Sequence, residues 1–376
     1  MPKLKRLTPL LAALALLGAC AFETADVDTA TVASERQRFE VIAYYHGTGD
    51  GIERYAIEDL TQLIYSFAQL QGNVLDIEPH DSKLRRLVKL KERNPSLKVL
   101  LAFGGWGGCE TCSEVFSVAE DRAAFADSVL RVLQEYELDG IDLDWEFPAV
   151  PGFPGHAYKP EDRENFTALI EVLRSRLGTR FEISFAAAAT PAFMQRSIDW
   201  ARVMPLVDRV NVMSYDFVAG GSTSTGHHTA LYAGPNNALS ADTAVSGLIE
   251  LGVPPGKIVL GGAFYARVWR DVEVPEDSAL GVPGVFHESV AYRDFDRYFG
   301  SDCKAFWDER AAAPYRYCRT AGLFATYDNR RSIAEKTRYA AERSLAGIMF
   351  WQLAQDSERD GLLSAVAEVV RETESE

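Results

Sequence analysis

Positive charge is in short supply in this sequence. Its 39 Lys and Arg stand against 54 Asp and Glu, a formal net charge of −15 over 376 residues. A nucleic-acid-binding surface is built on a basic patch, so nucleic acid is not an expected partner. Long apolar runs are missing too: the N-terminal run Leu10 to Leu17 is too short to stay in a membrane as a spanning helix. No HExxH, GxSxG or Walker pattern occurs, which removes the usual motif support for a metalloprotease, a serine hydrolase or a nucleotide-binding enzyme. The alternating glycines Gly47, Gly49 and Gly51 lack dinucleotide-binding spacing and read as a turn. No metal and no cofactor is expected. Internal repetition is absent at the residue level, so no solenoid is implied. Disorder is excluded by the 47% hydrophobic and 11% aromatic content.

Lys3, Lys5 and Arg6 precede the apolar run, and the small residues Gly18 and Ala19 follow it, as in an export signal. Leu17-Gly18-Ala19-Cys20 resembles a bacterial lipobox, which implies a signal over 1–19, cleavage before Cys20 and acylation of that cysteine. A lipid anchor would make the membrane a partner; an ordinary secretory signal is the alternative. Ala21 is not the retention aspartate of the inner membrane, which points to the outer membrane or cell surface, with a periplasmic or secreted protein as the alternative. Residues 20–38 lack periodicity and read as a flexible tether. Cysteine is scarce, five in all, and setting Cys20 aside leaves an even four for an oxidising compartment. Three pairings are possible. The local one, Cys109 with Cys112 and Cys303 with Cys318, is preferred over a redox motif or a zinc site, because the second pair lacks the spacing of a zinc knuckle. The chain is expected to be monomeric.

From Phe39 onward short apolar runs alternate with amphipathic stretches. Strands are expected over 39–45, 62–68, 97–103, 138–147, 181–187, 208–215, 257–264 and 346–352. Helices are expected near 81–94, 120–136, 161–177, 194–204, 241–251, 332–344 and 361–372, with a shorter piece near 53–60. Eight strands, each followed by a helix, predict an α/β fold, the (β/α)8 TIM barrel, over 39–372; a doubly wound open sheet is the competitor.

One stretch carries unusual chemistry for a buried strand. Asp139, Asp142, Asp144 and Glu146 interrupt the otherwise apolar run Leu138 to Phe147, which Pro148 closes. Alternation puts Asp142, Asp144 and Glu146 on one face, about 6–7 Å apart, with Ile141, Leu143 and Trp145 on the other. Carboxylates that close repel one another, so at least one should keep its proton near neutral pH. A neutral acid beside ionised ones is what glycosidic bond cleavage needs. A solvated strand face or a calcium site is the plainer alternative, but calcium ligands come mostly from loops.

The pattern Asp139-x-x-Asp142-x-Asp144-x-Glu146 resembles the DxxDxDxE signature of glycoside hydrolase family 18, the chitinase family. Other strand ends extend the likeness from about Phe39 to Leu363. Gly104-Gly105 resembles the family's SxGG element with Ala102 at the serine position, and Met213-Ser214-Tyr215-Asp216 resembles MxYD. Gly261 to Arg267 resembles GxPxYGR with alanine at the Pro and second Gly positions, and Gly347 to Trp351 resembles the closing tryptophan strand. The long stretch after strand seven, with Trp307-Asp308-Glu309 and Pro314-Tyr315, resembles the family's small α+β insertion domain, placed at 268–322.

The resemblance implies a chitinase that hydrolyses β-1,4 bonds of chitin or N-acetylglucosamine oligosaccharides with retention, the substrate's own acetamide acting as nucleophile. Glu146 is the implied general acid. Asp144 orients the acetamide while sharing a proton with Asp142, and Tyr215 donates to the acetamide oxygen. Asp216, Met213, Trp351, Tyr265, Arg267, Trp106, Phe67 and Tyr44 are the implied sugar contacts, with Trp351 as the floor; Tyr158 and Phe264 are further cleft candidates. Asp139 is expected to be structural, and His227-His228 to have a surface or structural role. The alternatives are an endo-acetylglucosaminidase, a peptidoglycan hydrolase, or a lectin on the same barrel; lectins of that kind lose the final glutamate, which is kept here.

Overall fold

A computed structural model describes residues 38–235, 238–274 and 278–375. The expected signal, Cys20 and all but the last residue of the expected tether lie outside the described residues. Eight parallel strands close a barrel. They are β1 (Glu40–Tyr45), β2 (Gln62–Gln71), β4 (Lys98–Gly104), β5 (Gly140–Asp144), β6 (Glu182–Ala188), β7 (Arg209–Met213), β8 (Ile258–Ala263) and β14 (Gly347–Trp351). Each pairs with its successor, and β14 pairs with β1, where Val41 faces Ile348 in register. The predicted TIM barrel is therefore the fold. Short β3 (Val74–Asp76) folds back on the end of β2 as an antiparallel arm.

Alternation along the strands divides the apolar residues into two layers. Ile42, Ile64, Leu100, Val259 and Met349 point into the barrel, while Val41, Leu63, Val99, Ile141 and Ile348 pack outward under the helices. The lower end of the barrel is closed by charge: Arg209 pairs with Glu40 and Glu182, and Glu182 also takes Lys98 and Gln62.

Three expectations change. The crossover after β1 contains no α-helix, only 3-10 turns at Ile52–Arg54 and Ile57–Asp59. Gly49 and Gly51 adopt left-handed backbone there (φ 88° and 75°), and the extended backbone of Tyr55 and Leu60 ends each 3-10 turn. The stretch expected as one helix near 194–204 is two, Pro191–Arg196 and Trp200–Val203, because Asp199 starts a new one by accepting from the Arg202 N–H. Strand β5 ends at Asp144, not Phe147: its partner β4 ends opposite at Gly104, and the Asp144 carbonyl then accepts from the Gly105 N–H (2.9 Å).

Between β8 and the helix Arg330–Glu342 lies a second, antiparallel sheet. Its strands are β9 (Tyr265–Arg270), β10 (Val285–Ala291), β11 (Lys304–Asp308), β12 (Ala313–Cys318) and β13 (Leu323–Thr326), with one short helix, Phe295–Tyr298. The spatial order is β10-β9-β13-β12-β11. The sheet thus begins at Tyr265 and ends at Thr326, a little outside the 268–322 read from sequence. Both local disulfides form, Cys109–Cys112 and Cys303–Cys318. The second ties the N-terminal side of β11 to the end of β12.

A buried ion pair joins the two sheets to the helix behind them. Lys336 and Asp328 are both fully buried; Lys336 Nζ reaches the two Asp328 oxygens at 2.9 and 2.7 Å and also binds Thr229 Oγ1. Asp328 further accepts from Ser332 Oγ (2.7 Å) and from the Ala263 N–H (3.0 Å) at the end of β8. Removing one member of such a pair strands the other charge in a site without water. Lys336→Met should lower the free energy of unfolding by about 3–5 kcal/mol, read as a reduced urea midpoint; an unchanged midpoint would show that the pair holds nothing together.

Candidate active site

The upper mouth of the barrel opens into a cleft of about 1300 Å³. At its centre, β5 delivers its acids in steps. Asp139, before the strand, accepts from the Val99 N–H (2.6 Å) and pairs with Lys91 (2.7 Å), a structural task at the far end from the cleft. Asp142 is fully buried inside the barrel. Asp144 lies one layer higher, almost fully buried, and Glu146 is half-buried just past the strand end. Trp145, between them, points outward and packs on Phe116 and Phe166.

Asp142 is fed by three strands. Tyr44 OH (2.8 Å) donates to Oδ2, while Ser184 Oγ (2.6 Å) and Asn211 Nδ2 (2.9 Å) donate to Oδ1. Its oxygens are thus held by donors from β1, β6 and β7. Ala102 pairs with Asp142 in register and has no hydroxyl to offer; Ser184, on the other neighbouring strand, supplies one. Ser184 and Asn211 were missed in the sequence. The available signal was a polar residue two positions after another polar one, Glu182 to Ser184 and Arg209 to Asn211, on strands whose other face is apolar.

The glycines after β4 are needed for close approach. A Cβ at Gly104 would stand 2.3 Å from the Asp144 carbonyl oxygen, and one at Gly105 would stand 2.5 Å from the Phe67 ring. Phe67 in turn stacks on Trp351, ring centroids 5.5 Å apart and planes within 16°. Trp351, half-buried, forms the floor with Tyr44 and His46 at its edges. Non-proline cis peptides occur at Ser66–Phe67, Glu146–Phe147 and Trp351–Gln352. Trp106 stands at the rim, 58% exposed, edge-on to Phe153.

On the opposite wall, Met213 ends β7, Tyr215 follows it, and Asp216 takes a left-handed backbone (φ 58°). Arg267 from β9 grips Asp216 with two bonds, Nε to Oδ1 (2.7 Å) and Nη2 to Oδ2 (2.6 Å). Tyr265, two residues earlier on the same face, lies under the guanidinium at 5.0 Å and edge-on to Tyr215 at 6.2 Å. The second sheet therefore supplies part of the cleft, with Phe286 and Ser289 of β10 beside Arg267. Two candidates fall elsewhere. Phe264 is fully buried and stacked on Phe350 at 4.0 Å, so it belongs to the core, and Tyr158 is exposed but does not line the cleft. His227 and His228 are buried rather than at the surface: His227 Nε2 meets Asp308 Oδ2 (3.2 Å), and His228 lies behind Asp216. Among the described residues no His, Cys, Asp and Glu group has a metal-ligating arrangement.

The electrostatics follow from this packing. Burial raises Asp144, and the charges of Glu146 and Asp142 raise it further. Burial also raises Asp142, against the pull of its three donors. Glu146 is pushed up to about 8 by burial and by the negative charge of Asp216. Asp216 is the exception: burial works to raise it, but the nearby His228 and the two bonds and charge of the Arg267 guanidinium outweigh that and keep it ionised. Burial, with the acids around it, keeps the Tyr215 hydroxyl protonated. One oxygen stands out: Asp144 Oδ1 is buried and receives no hydrogen bond from the described residues. An unmet acceptor, a phenol donor, an acid held protonated and a flat aromatic floor thus meet in one cleft.

The family model for glycosyl hydrolases family 18 matches residues 40–356. The chain belongs to that family. It is 30% identical to Chitinase A1 of Niallia circulans over 304 residues, covering 74% of this chain and 43% of that protein, so it spans less than half of that relative's length. A solved family 18 N-acetylglucosaminidase from Paenibacillus barengoltzii is 31% identical with a TM-score of 0.80, covering 88% of this chain and 100% of that one. The Group IV chitinase of Ostrinia furnacalis, solved with allosamidin, is 26% identical with a TM-score of 0.81, covering 89% and 99%.

Glu146 should be observable as an outlier among the carboxyls. Followed by ¹³C NMR of protein labelled at glutamate side chains, one carboxyl should titrate near pH 8 and vanish in Glu146→Gln. A Glu146 signal titrating between 4 and 5, the ordinary range, would refute the electrostatic picture.

Proposed function

We propose that this chain hydrolyses β-1,4 linkages between N-acetylglucosamine units in chitin or chitooligosaccharides, with retention at the anomeric carbon. The observation that carries the reading is the unpartnered buried oxygen of Asp144 beside a protonated Glu146. In this reading the sugar before the scissile bond stacks on Trp351. Its acetamide N–H donates to Asp144 Oδ1, and Tyr215 donates to the acetamide oxygen. So held, that oxygen attacks the anomeric carbon as Glu146 gives its proton to the departing sugar oxygen. The bond to the leaving sugar breaks and a cyclic oxazolinium forms. Glu146, now a carboxylate, then takes a proton from the water that opens it.

The charge of Asp142 helps raise Asp144, and Asp216 with Arg267 shapes the wall nearest Glu146. Met213, Tyr265, Phe67, Tyr44 and Trp106 complete the sugar contacts. An Endochitinase 1 of Metarhizium robertsii and the N-acetylglucosaminidase are both among the similar proteins, so internal cleavage and release of single N-acetylglucosamine units are the two modes to separate. The product ladder from N-acetylated chitohexaose, read by mass spectrometry, distinguishes them.

Wild-type protein should cleave that hexamer, and Glu146→Gln should lose about a hundredfold or more in kcat. A folded wild type inert on chitohexaose would overturn the reading, and N-glycans, peptidoglycan and simple lectin-like binding would be tested in its place. We further propose that the chain is exported and anchored by lipid on Cys20. Full-length protein expressed in a bacterium should partition with membranes, and Cys20→Ala should move it to the soluble fraction. Equal solubility of the two would discard the anchor.

A further inference from the structure

His228 is fully buried against the reaction site, yet the steps above give it no task. Its backbone is pinned on both sides: its N–H donates to Thr326 Oγ1 on β13 (3.1 Å), and its carbonyl accepts from the Phe217 N–H (3.1 Å). The imidazole therefore has little freedom to move. It faces Asp216 from the loop after β7, with Nδ1 3.5 Å from Oδ1. From β9 it meets the Tyr265 ring at 5.1 Å and the charge of Arg267, which holds the same carboxylate. From beyond β13, Asp328 acts on it by charge, itself neutralised by Lys336. Its neighbour His227 turns away to Asp308.

These surroundings decide its state. Burial, with Arg267 nearby, keeps the imidazole neutral despite Asp216. A neutral imidazole beside an ionised carboxylate is stabilised with the near nitrogen protonated, here Nδ1. Both ring nitrogens are buried without a hydrogen-bond partner among the described residues, and Nδ1 is the one that faces Asp216. Asp216 is thus held by a guanidinium on a long side chain and approached by a fully buried ring.

We propose that His228 is a positioning residue: its Nδ1–H fixes the Asp216 carboxylate in the orientation that turns its charge toward Glu146. This rests on Glu146 being the acid of the proposed reaction. Coulomb interaction weakens with distance, so a carboxylate free to swing with Arg267 would support the Glu146 proton less. The acid would then be lost at lower pH.

The test compares kcat against pH, with chitohexaose, for wild type, His228→Phe and His228→Asn. Phenylalanine keeps the ring and removes the donor; asparagine keeps an N–H. The basic limb of His228→Phe should move toward acid by roughly one pH unit, and His228→Asn should restore most of that. A folded His228→Phe with an unmoved limb, or equal displacement in both variants, would overturn the proposal; general loosening would lower kcat at every pH without moving the limb. ¹⁵N NMR of histidine-labelled wild type is independent of whether the variants fold. It should find His228 neutral with Nδ1 protonated, and an Nε2–H tautomer or an imidazolium at neutral pH would equally refute it. An inactive wild type with the expected tautomer would instead fault the reaction assigned above, while leaving the His228–Asp216 contact intact.

Discussion

Burying Asp142 in the middle of the barrel obliges three other strands to supply it with donors: Tyr44 from β1, Ser184 from β6 and Asn211 from β7. A carboxyl without such partners would cost several kcal/mol in that environment. The requirement reaches further than its own layer. Asp142 is held by these donors, while Asp144 above it keeps one buried oxygen unmet among the described residues, the oxygen on which the proposed amide contact rests. The floor, the wall and the acid are arranged around it.

The site also separates two carboxyls that start with similar chemistry. Glu146 and Asp216 lie close enough for each to feel the other's charge, and only one is given a cation. Arg267 and His228 settle Asp216 as the anion, and its charge then helps keep the proton on Glu146. A pair of acids pushed apart in this way yields a fixed proton donor at neutral pH without a metal in the scheme. The same buried surroundings keep Tyr215 a donor throughout.

Much of this was legible in the sequence, for identifiable reasons. The barrel strands were readable because each is a short apolar run, and their tips because catalytic groups follow the apolar residues directly. Glu146 was placed on the strand, whereas β5 stops at Asp144; loss of a pairing partner at Gly104 is a property of the neighbouring strand and leaves no mark within 138–147. Ser184 and Asn211 were hidden because one polar residue in a strand looks the same whether it meets a buried acid or water. The burial of His227 and His228 depends on the second sheet folding over them, which local polarity does not report. Phe264 and Trp351 are both aromatic residues at strand ends, and only the tertiary stack of Phe264 on Phe350 separates core from cleft.

Tyr265 and Arg267 belong to the first strand of the second sheet, and only Phe264 separates that strand from β8 of the barrel. The sheet is therefore continuous with the barrel wall at its first strand. Its opening strand carries the cation that Asp216 needs, and its closing strand, β13, leads directly to Asp328. A barrel trimmed of this segment would lose the Arg267 guanidinium that holds Asp216.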